Sequence, residues 1–274
     1  MLILALIIVF GILTFFGFMF LKNAAARYIV GGVSLIILAL SVVMLTFHIR
    51  DNWGMKEVTT STSHVVYTAG DKSAAYGMMI KAEIGKNTGN YVLIYRNDKN
   101  SKNPDTNFKP DEKNIVEAVK KSATYKQVAG NTAKVTTKTT RRVWKSDFFK
   151  VLFGIGDENK ELVKQHSVVS VPKDTWLVLT ADQVKELQKK APEMAAAAKK
   201  EQEAQVQAAI QKALTEAVAN VPAAQKEAAM AAAKPAVTEK VEAAAKAQMA
   251  ELQNNPKAYA KLQVTQIRET LGIK

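Results

Sequence analysis

Lys134, Lys138, Arg141 and Arg142 crowd into one stretch, AKVTTKTTRRVWK, that ends in Trp144. Read as a strand, its alternation puts Lys134, Lys138, Arg142 and Trp144 on one face, opposite Val135, Thr137, Thr139, Arg141 and Val143. A cationic row closed by an indole suits phosphate groups or a sugar-phosphate polymer, since arginine can grip an oxyanion with two parallel N–H donors. The same row also fits a solvated, threonine-rich outer face. Directly after it, SDFFKVLFGIGDENK gathers Phe148, Phe149, Val151, Leu152, Phe153 and Ile155 before a glycine-rich turn. Such an apolar tip is either tucked into a core or, with Trp144 and Lys150, held out to dock on a membrane surface or membrane partner. Core burial is the default expectation.

Catalytic chemistry finds no foothold. His48, His64 and His166 stand far apart and form no HExxH pair, so no metal site is expected, and with no cysteine in the chain, thiolate sites and disulfides are excluded. FGIGDE supplies only Gly154 and Gly156 and opens no helix, which is too little for a dinucleotide loop, and neither a Walker lysine motif nor a GxSxG elbow occurs. Asp157 and Glu158 are adjacent carboxylates in a turn, where solvation is their ordinary state. The expectation is a protein without catalytic residues or cofactor, acting by binding.

The elements that would carry these residues begin with LILALIIVFGILTFFGFMFL, uncharged from Leu2 to Leu21, and YIVGGVSLIILALSVVMLTFHI from Tyr28 to Ile49. At about 1.5 Å per residue, each spans the roughly 30 Å of a hydrocarbon layer, predicting a transmembrane hairpin over residues 1–50. Tyr28 and Trp53 fall where amphipathic aromatics favour the headgroup zone. A signal peptide cleaved near Ala24, Ala25 and Ala26 is the competing reading, opposed by the length of the run and by the lack of a basic start. Lys22 and Arg27 lie in the connection with no acid beside them, and the bias that keeps such cations cytoplasmic points the loop inward. Both termini would then lie outside the cytoplasm. Along the second span, Ser34, Ser41 and His48 recur every seventh residue, and with Gly31 and Gly32 they make a small or polar stripe where the first span or a partner helix could approach.

Residues 51–180 shift to period two with Gly, Asn, Asp and Pro breaks, predicting a small, mostly β domain with one or two short helices. Met78, Ile80, Ala82 and Ile84 would share one strand face, and a hairpin is expected from Met78 to Asn97 through GKNTGN. A short helix capped by Asp111 would pack Ile115, Val116 and Val119 on the sheet. Residues 181–274 hold 27 alanines, predicting a long helical or partly disordered tail, cut by Pro192, Pro222, Pro235 and Pro256, each tolerable in a first helical turn. Val206, Ile210, Leu214, Ala217 or Val218, and Val221 form a narrow stripe fit for weak pairing with another helix, as in a coiled coil. The fold class is therefore a membrane-anchored α+β protein.

The chain carries 38 basic and 25 acidic side chains, and setting Lys22 and Arg27 aside leaves a net +11 on residues 50–274. That favours polyanions or anionic headgroups as neighbours. RRVWKSDFFKVLFGIGDENKELV and VPKDTWLVLTADQVKEL resemble an uncharacterised family of two-span membrane proteins of lactic acid bacteria, over roughly residues 1 to 190. The resemblance implies an extracytoplasmic domain and, because its members are often encoded beside multidrug efflux transporters of the major facilitator class, an accessory role next to an integral membrane protein. It implies no site residue. The expected protein is a non-enzymatic, two-span accessory or structural protein of the bacterial cell surface, with a membrane partner and anionic wall polymers or lipid headgroups as its contacts. Nucleic acid is not expected outside the cell; with the hairpin inverted, the alternative is a cytoplasmic-facing tether for nucleic acid or the ribosome.

Overall fold

Asn23 decides where the second span begins. In the computed structural model, which describes residues 1–154 and 160–273, its side chain accepts from the backbone N–H groups of Ala25 (2.9 Å) and Ala26 (3.3 Å). This cap recruits the three alanines into helix. Helix α1 spans Leu2–Phe20 and α2 spans Ala24–Asp51, so the polar break shrinks from Lys22–Arg27 to Leu21, Lys22 and Asn23. The Arg27 guanidinium folds back to donate to the Leu21 carbonyl at 3.0 and 3.1 Å. Both helices are long and apolar enough to cross a membrane.

The protein is an α+β fold divided into two units: Met1–Ser63, Pro110–Ser122 and Thr136–Ser167 form the first, and His64–Lys109, Ala123–Val135 and Val168–Lys274 the second. Its strands are β1 (Met55–Val65), β2 (Gly77–Glu83), β3 (Tyr91–Tyr95), β4 (Asp105–Asn107), β5 (Lys121–Val128), β6 (Lys134–Trp144), β7 (Glu161–Pro172) and β8 (Trp176–Thr180). They form two four-stranded sheets, ordered β1-β6-β7-β5 and β4-β3-β2-β8.

In the first unit, α2 ends at Asn52, whose left-handed backbone (φ 53°) and N–H to the Phe47 carbonyl close the last turn. The chain enters β1 soon afterwards. Helix α3 (Ile115–Ala118) is a single turn capped by Asn114, not Asp111, and Ile115, Val116 and Val119 are exposed rather than packed on the sheet. Asn114 takes the capping role because its side chain reaches the Glu117 N–H (3.2 Å), and β5 starts too soon afterwards for an amphipathic face to develop. Helix α4 (Asp147–Phe153) follows β6.

In the second unit, β2 pairs antiparallel with β3, with Ile80 opposite Ile94, and parallel with β8, with Met79 opposite Val178. The hairpin is the expected one, but its inward face is shifted by one residue: Met79 is fully buried, Met78 and Ile80 are less so, and Ala82 is exposed. The reason is that β2 is covered on both sides. Met79 joins Leu93, Tyr95, Val169, Val171 and Trp176 in one core, while Met78 joins Leu177, Leu179, Val264 and Ile267 in another. A strand buried on two faces reads as a continuous apolar run and loses its alternation.

Helices α5 (Ala181–Ala217), α6 (Lys226–Asn254) and α7 (Pro256–Leu271) make up the alanine-rich region. A reciprocal cap opens α5: Thr180 Oγ1 accepts from the Gln183 N–H (3.2 Å) and Gln183 Oε1 from the Thr180 N–H (2.8 Å). Pro192 and Pro235 lie inside α5 and α6, not in first turns; Pro222 precedes a short 3-10 turn, Ala223–Gln225, and Pro256 opens α7, assisted by Asn255, which accepts from the Ala258 N–H. At the start of α7 the missing proline N–H costs no intrahelical hydrogen bond, and the Asn255 side chain caps the first turn. Ile210, Leu214 and Val218 of the predicted stripe are buried. Val264 and Ile267 of α7 pack on Leu177 and Leu179, and the Arg268 guanidinium donates to the carbonyls of Lys173 (2.9 Å) and Trp176 (3.4 Å). Arg268→Ala should loosen α7 by about 1–3 kcal/mol, seen as faster amide exchange in α7 with α5 unaffected; equal exchange in both proteins would refute the role given to this arginine.

Candidate functional site

Gly17 faces Gly31 where α1 and α2 touch. A Cβ on Gly17 would meet the Gly31 backbone N at 2.8 Å, and one on Gly31 would meet the Phe18 ring at 3.0 Å. Ser34 and Ser41 are buried along the same stripe; Ser34 Oγ donates to the Val30 carbonyl (2.6 Å) and accepts from Thr14 Oγ1 (3.0 Å), and Ser41 Oγ donates to the Ile37 carbonyl (2.8 Å). Small side chains let the backbones approach, and the hydroxyls satisfy themselves inside. Gly32 lies off the stripe: a Cβ there would meet nothing within 4 Å.

At the end of that stripe, His48 organises an aromatic collar. Its Nδ1–H donates to the Trp53 carbonyl at 2.7 Å, and its ring stacks on Phe153 (centroids 4.4 Å apart, 7° between planes) and Trp144 (5.4 Å, 20°). Trp53 meets Phe149 and Phe153 edge-on at 5.2 and 5.8 Å. Gly54, at φ 93°, clears room for Phe149, whose ring would lie 2.8 Å from an added Cβ. Phe153 and Leu152 are buried there with Ile3 of α1, and Leu6, Ile7, Met44 and Leu45 pack around them. The apolar tip is thus split: Trp144, Phe149, Leu152 and Phe153 turn into the collar, while Phe148 and Val151 stay 64 % and 61 % exposed. Ile155, Gly156, Asp157 and Glu158 lie outside the described residues.

The basic row is split as well. Arg142 pairs with Glu161 (2.8 Å) and reaches Glu57 (3.8 Å), while Arg141 donates to the Lys160 carbonyl (2.7 Å). Lys138 is exposed on β6 in the first unit, and Lys134, also exposed, belongs to the second. Both arginines are thus engaged by partners distant in sequence, which strand alternation does not reveal. The Lys120 ammonium, hydrogen-bonded to Glu161 at 2.9 Å, and then Arg142 hold the Glu161 carboxyl below its ordinary value of 4.5. A depressed carboxylate stabilises the folded form above that ordinary value and loses the contribution as pH falls through the folded one. Glu161→Gln should therefore flatten the acid side of the stability profile by a small amount, about 1 kcal/mol at most for a half-exposed pair; unchanged acid sensitivity in melting experiments would refute it.

A groove of about 550 Å³ in the second unit, lined by Lys81, Tyr91, Tyr125 and Lys126 among others, was not foreshadowed by any sequence motif. Lys81 Nζ donates to the Tyr125 hydroxyl (2.6 Å) and sits 4.8 and 6.0 Å from the ring centroids of Tyr125 and Tyr91. The lysine comes from β2 and the rings from β3 and β5, so only the folded unit assembles them. His166 Nδ1 meets the Ser122 hydroxyl at 2.8 Å, and among the described residues no group of three or more His, Cys, Asp or Glu could hold a metal ion.

The family described as a domain of unknown function, DUF4811, matches residues 23–187. The chain belongs to that family. The DUF4811 match runs from the cap of α2, through the collar and both sheets, to the first turns of α5. No match is found among curated proteins or solved structures. DUF4811 is an uncharacterised family, so the collar, the basic surface and the Lys81 groove rest on their own geometry.

Proposed function

We propose that this DUF4811 protein is a membrane-anchored accessory or structural protein of the bacterial cell surface that works by binding rather than turnover. The observation that carries the reading is the hairpin. Most of its outward side chains, Phe15, Phe16, Met19, Ile29, Ile36 and Val43 among them, are exposed and apolar, as lipid-facing residues are, while Ser34, Ser41 and His48 are turned inward. Lys22 and Arg27 favour a cytoplasmic connection, which sets the sheets and the alanine-rich helices outside. The resemblance to two-span proteins of lactic acid bacteria supports a transporter of the major facilitator class as the membrane partner. Lys138, and separately the Lys81 groove, offer cations to an anionic wall polymer or to lipid headgroups.

Because the chain has no cysteine, single-cysteine variants test the orientation in intact cells. A membrane-impermeant maleimide should label Ser61→Cys at once and Ala24→Cys only after permeabilisation. The opposite pattern would establish the cytoplasmic-facing tether and remove wall polymers from the account.

A further inference from the structure

From the collar geometry, and resting on the anchoring just proposed, we infer that α4 is a third membrane-contacting element, an interfacial helix that inserts Phe148 and Val151 into the lipid beside the hairpin. Its position is set by what it touches. Leu152 and Phe153 are buried against Ile3, with Leu6, Ile7, Met44 and Leu45 alongside, and these residues belong to the spans themselves. A helix packed on lipid-spanning side chains sits at the depth of those side chains.

Its sequence divides into three faces at the helical angle of about 100° per residue. Phe149, Leu152 and Phe153 face the collar; Phe148 and Val151, three apart, share a second face; Asp147 and Lys150 share the third. In water the second face would be an apolar liability of two large side chains, 64 % and 61 % exposed. Beside the hairpin it faces acyl chains, and Lys145 and Lys150, both exposed, fall where anionic headgroups lie. Continuity with the spans commits this face to lipid rather than to a soluble partner. Hydropathy alone misses it, because a seven-residue helix is far too short to register as a span.

The test uses the full chain in lipid nanodiscs, with the environment-sensitive fluorophore NBD attached at Phe148→Cys or Val151→Cys. Ile12→Cys, on the exposed side of α1, serves as the lipid control and Ser61→Cys, on β1, as the water control. At Phe148 and Val151 the emission should shift to the blue and be lost to a nitroxide placed near the headgroup more than to one at the acyl-chain end. This pattern matches a helix about 5–10 Å into the headgroup and acyl boundary. Emission like that of the Ser61→Cys control, quenched only from water, overturns the inference, as does shielding from both quenchers, which a second copy of the chain would produce. If the Ile12→Cys probe also escapes the lipid quenchers, the anchoring itself has failed; if that probe is quenched and those on α4 are not, only the interfacial helix is lost.

Discussion

Phe153→Ala should cost about 3–5 kcal/mol and loosen the junction between the hairpin and the first sheet. Phe153 is fully buried, and its ring lies flat on His48, edge-on to Trp53 and stacked on Phe149 at 6.2 Å. Truncation removes the surface on which three rings converge, and the buried imidazole is left beside a cavity. The melting midpoint of the detergent-solubilised protein, followed through tryptophan emission, should drop by many degrees. Phe148→Ala, on the exposed side of the same helix, should change it little, within about 0.5 kcal/mol. If the two variants melt alike, the collar does not hold the junction together.

Gly17→Val should pry the two spans apart. The new Cβ would lie 2.8 Å from the Gly31 N and 2.9 Å from its Cα, both backbone atoms that no rotamer change can move aside. Overpacking of this kind costs about 1–3 kcal/mol, and with the proposed membrane anchoring the helix pair would have little hydrophobic drive to absorb it. Thr14 and Ser34, whose hydroxyls are 3.0 Å apart, report the separation: the Thr14→Cys, Ser34→Cys pair should oxidise readily in the parent and several-fold more slowly when Gly17→Val is added. Gly11→Val is the matched control, since a Cβ there meets nothing within 4 Å. Equal oxidation in both backgrounds would mean the spans pack by some other face.

The hairpin was legible because its signal is local: two uncharged runs, a short polar break, and a stripe of Gly31, Ser34, Ser41 and His48 at helical spacing. The β2–β3 hairpin was legible for the same reason, through GKNTGN. Which face of β2 points inward was not, since Met78 and Met79 are claimed by different cores and only the assembled sheet shows that both sides are covered. Ile115, Val116 and Val119 misled because an apolar triad at helical spacing looks like a packed face, yet the helix ends after one turn. The ion pairs of Arg142 were not legible because Glu57 and Glu161 are remote in sequence and come beside it only across paired strands. Lys81 with Tyr91 and Tyr125 is the converse case, a cluster made by tertiary structure from residues unremarkable one by one.

The docking of α7 on β8 bears on how the nascent chain matures. Arg268 reaches back 95 residues to the Lys173 carbonyl, and Val264 and Ile267 cover Leu177 and Leu179. Until translation has delivered α7, those leucines lack Val264 and Ile267 and are covered only in part, by Val184, Leu187 and Met194 of α5 among others, which leaves apolar surface of the kind that chaperones guard. Completion of this core must therefore wait for late synthesis, long after the two apolar helices have emerged.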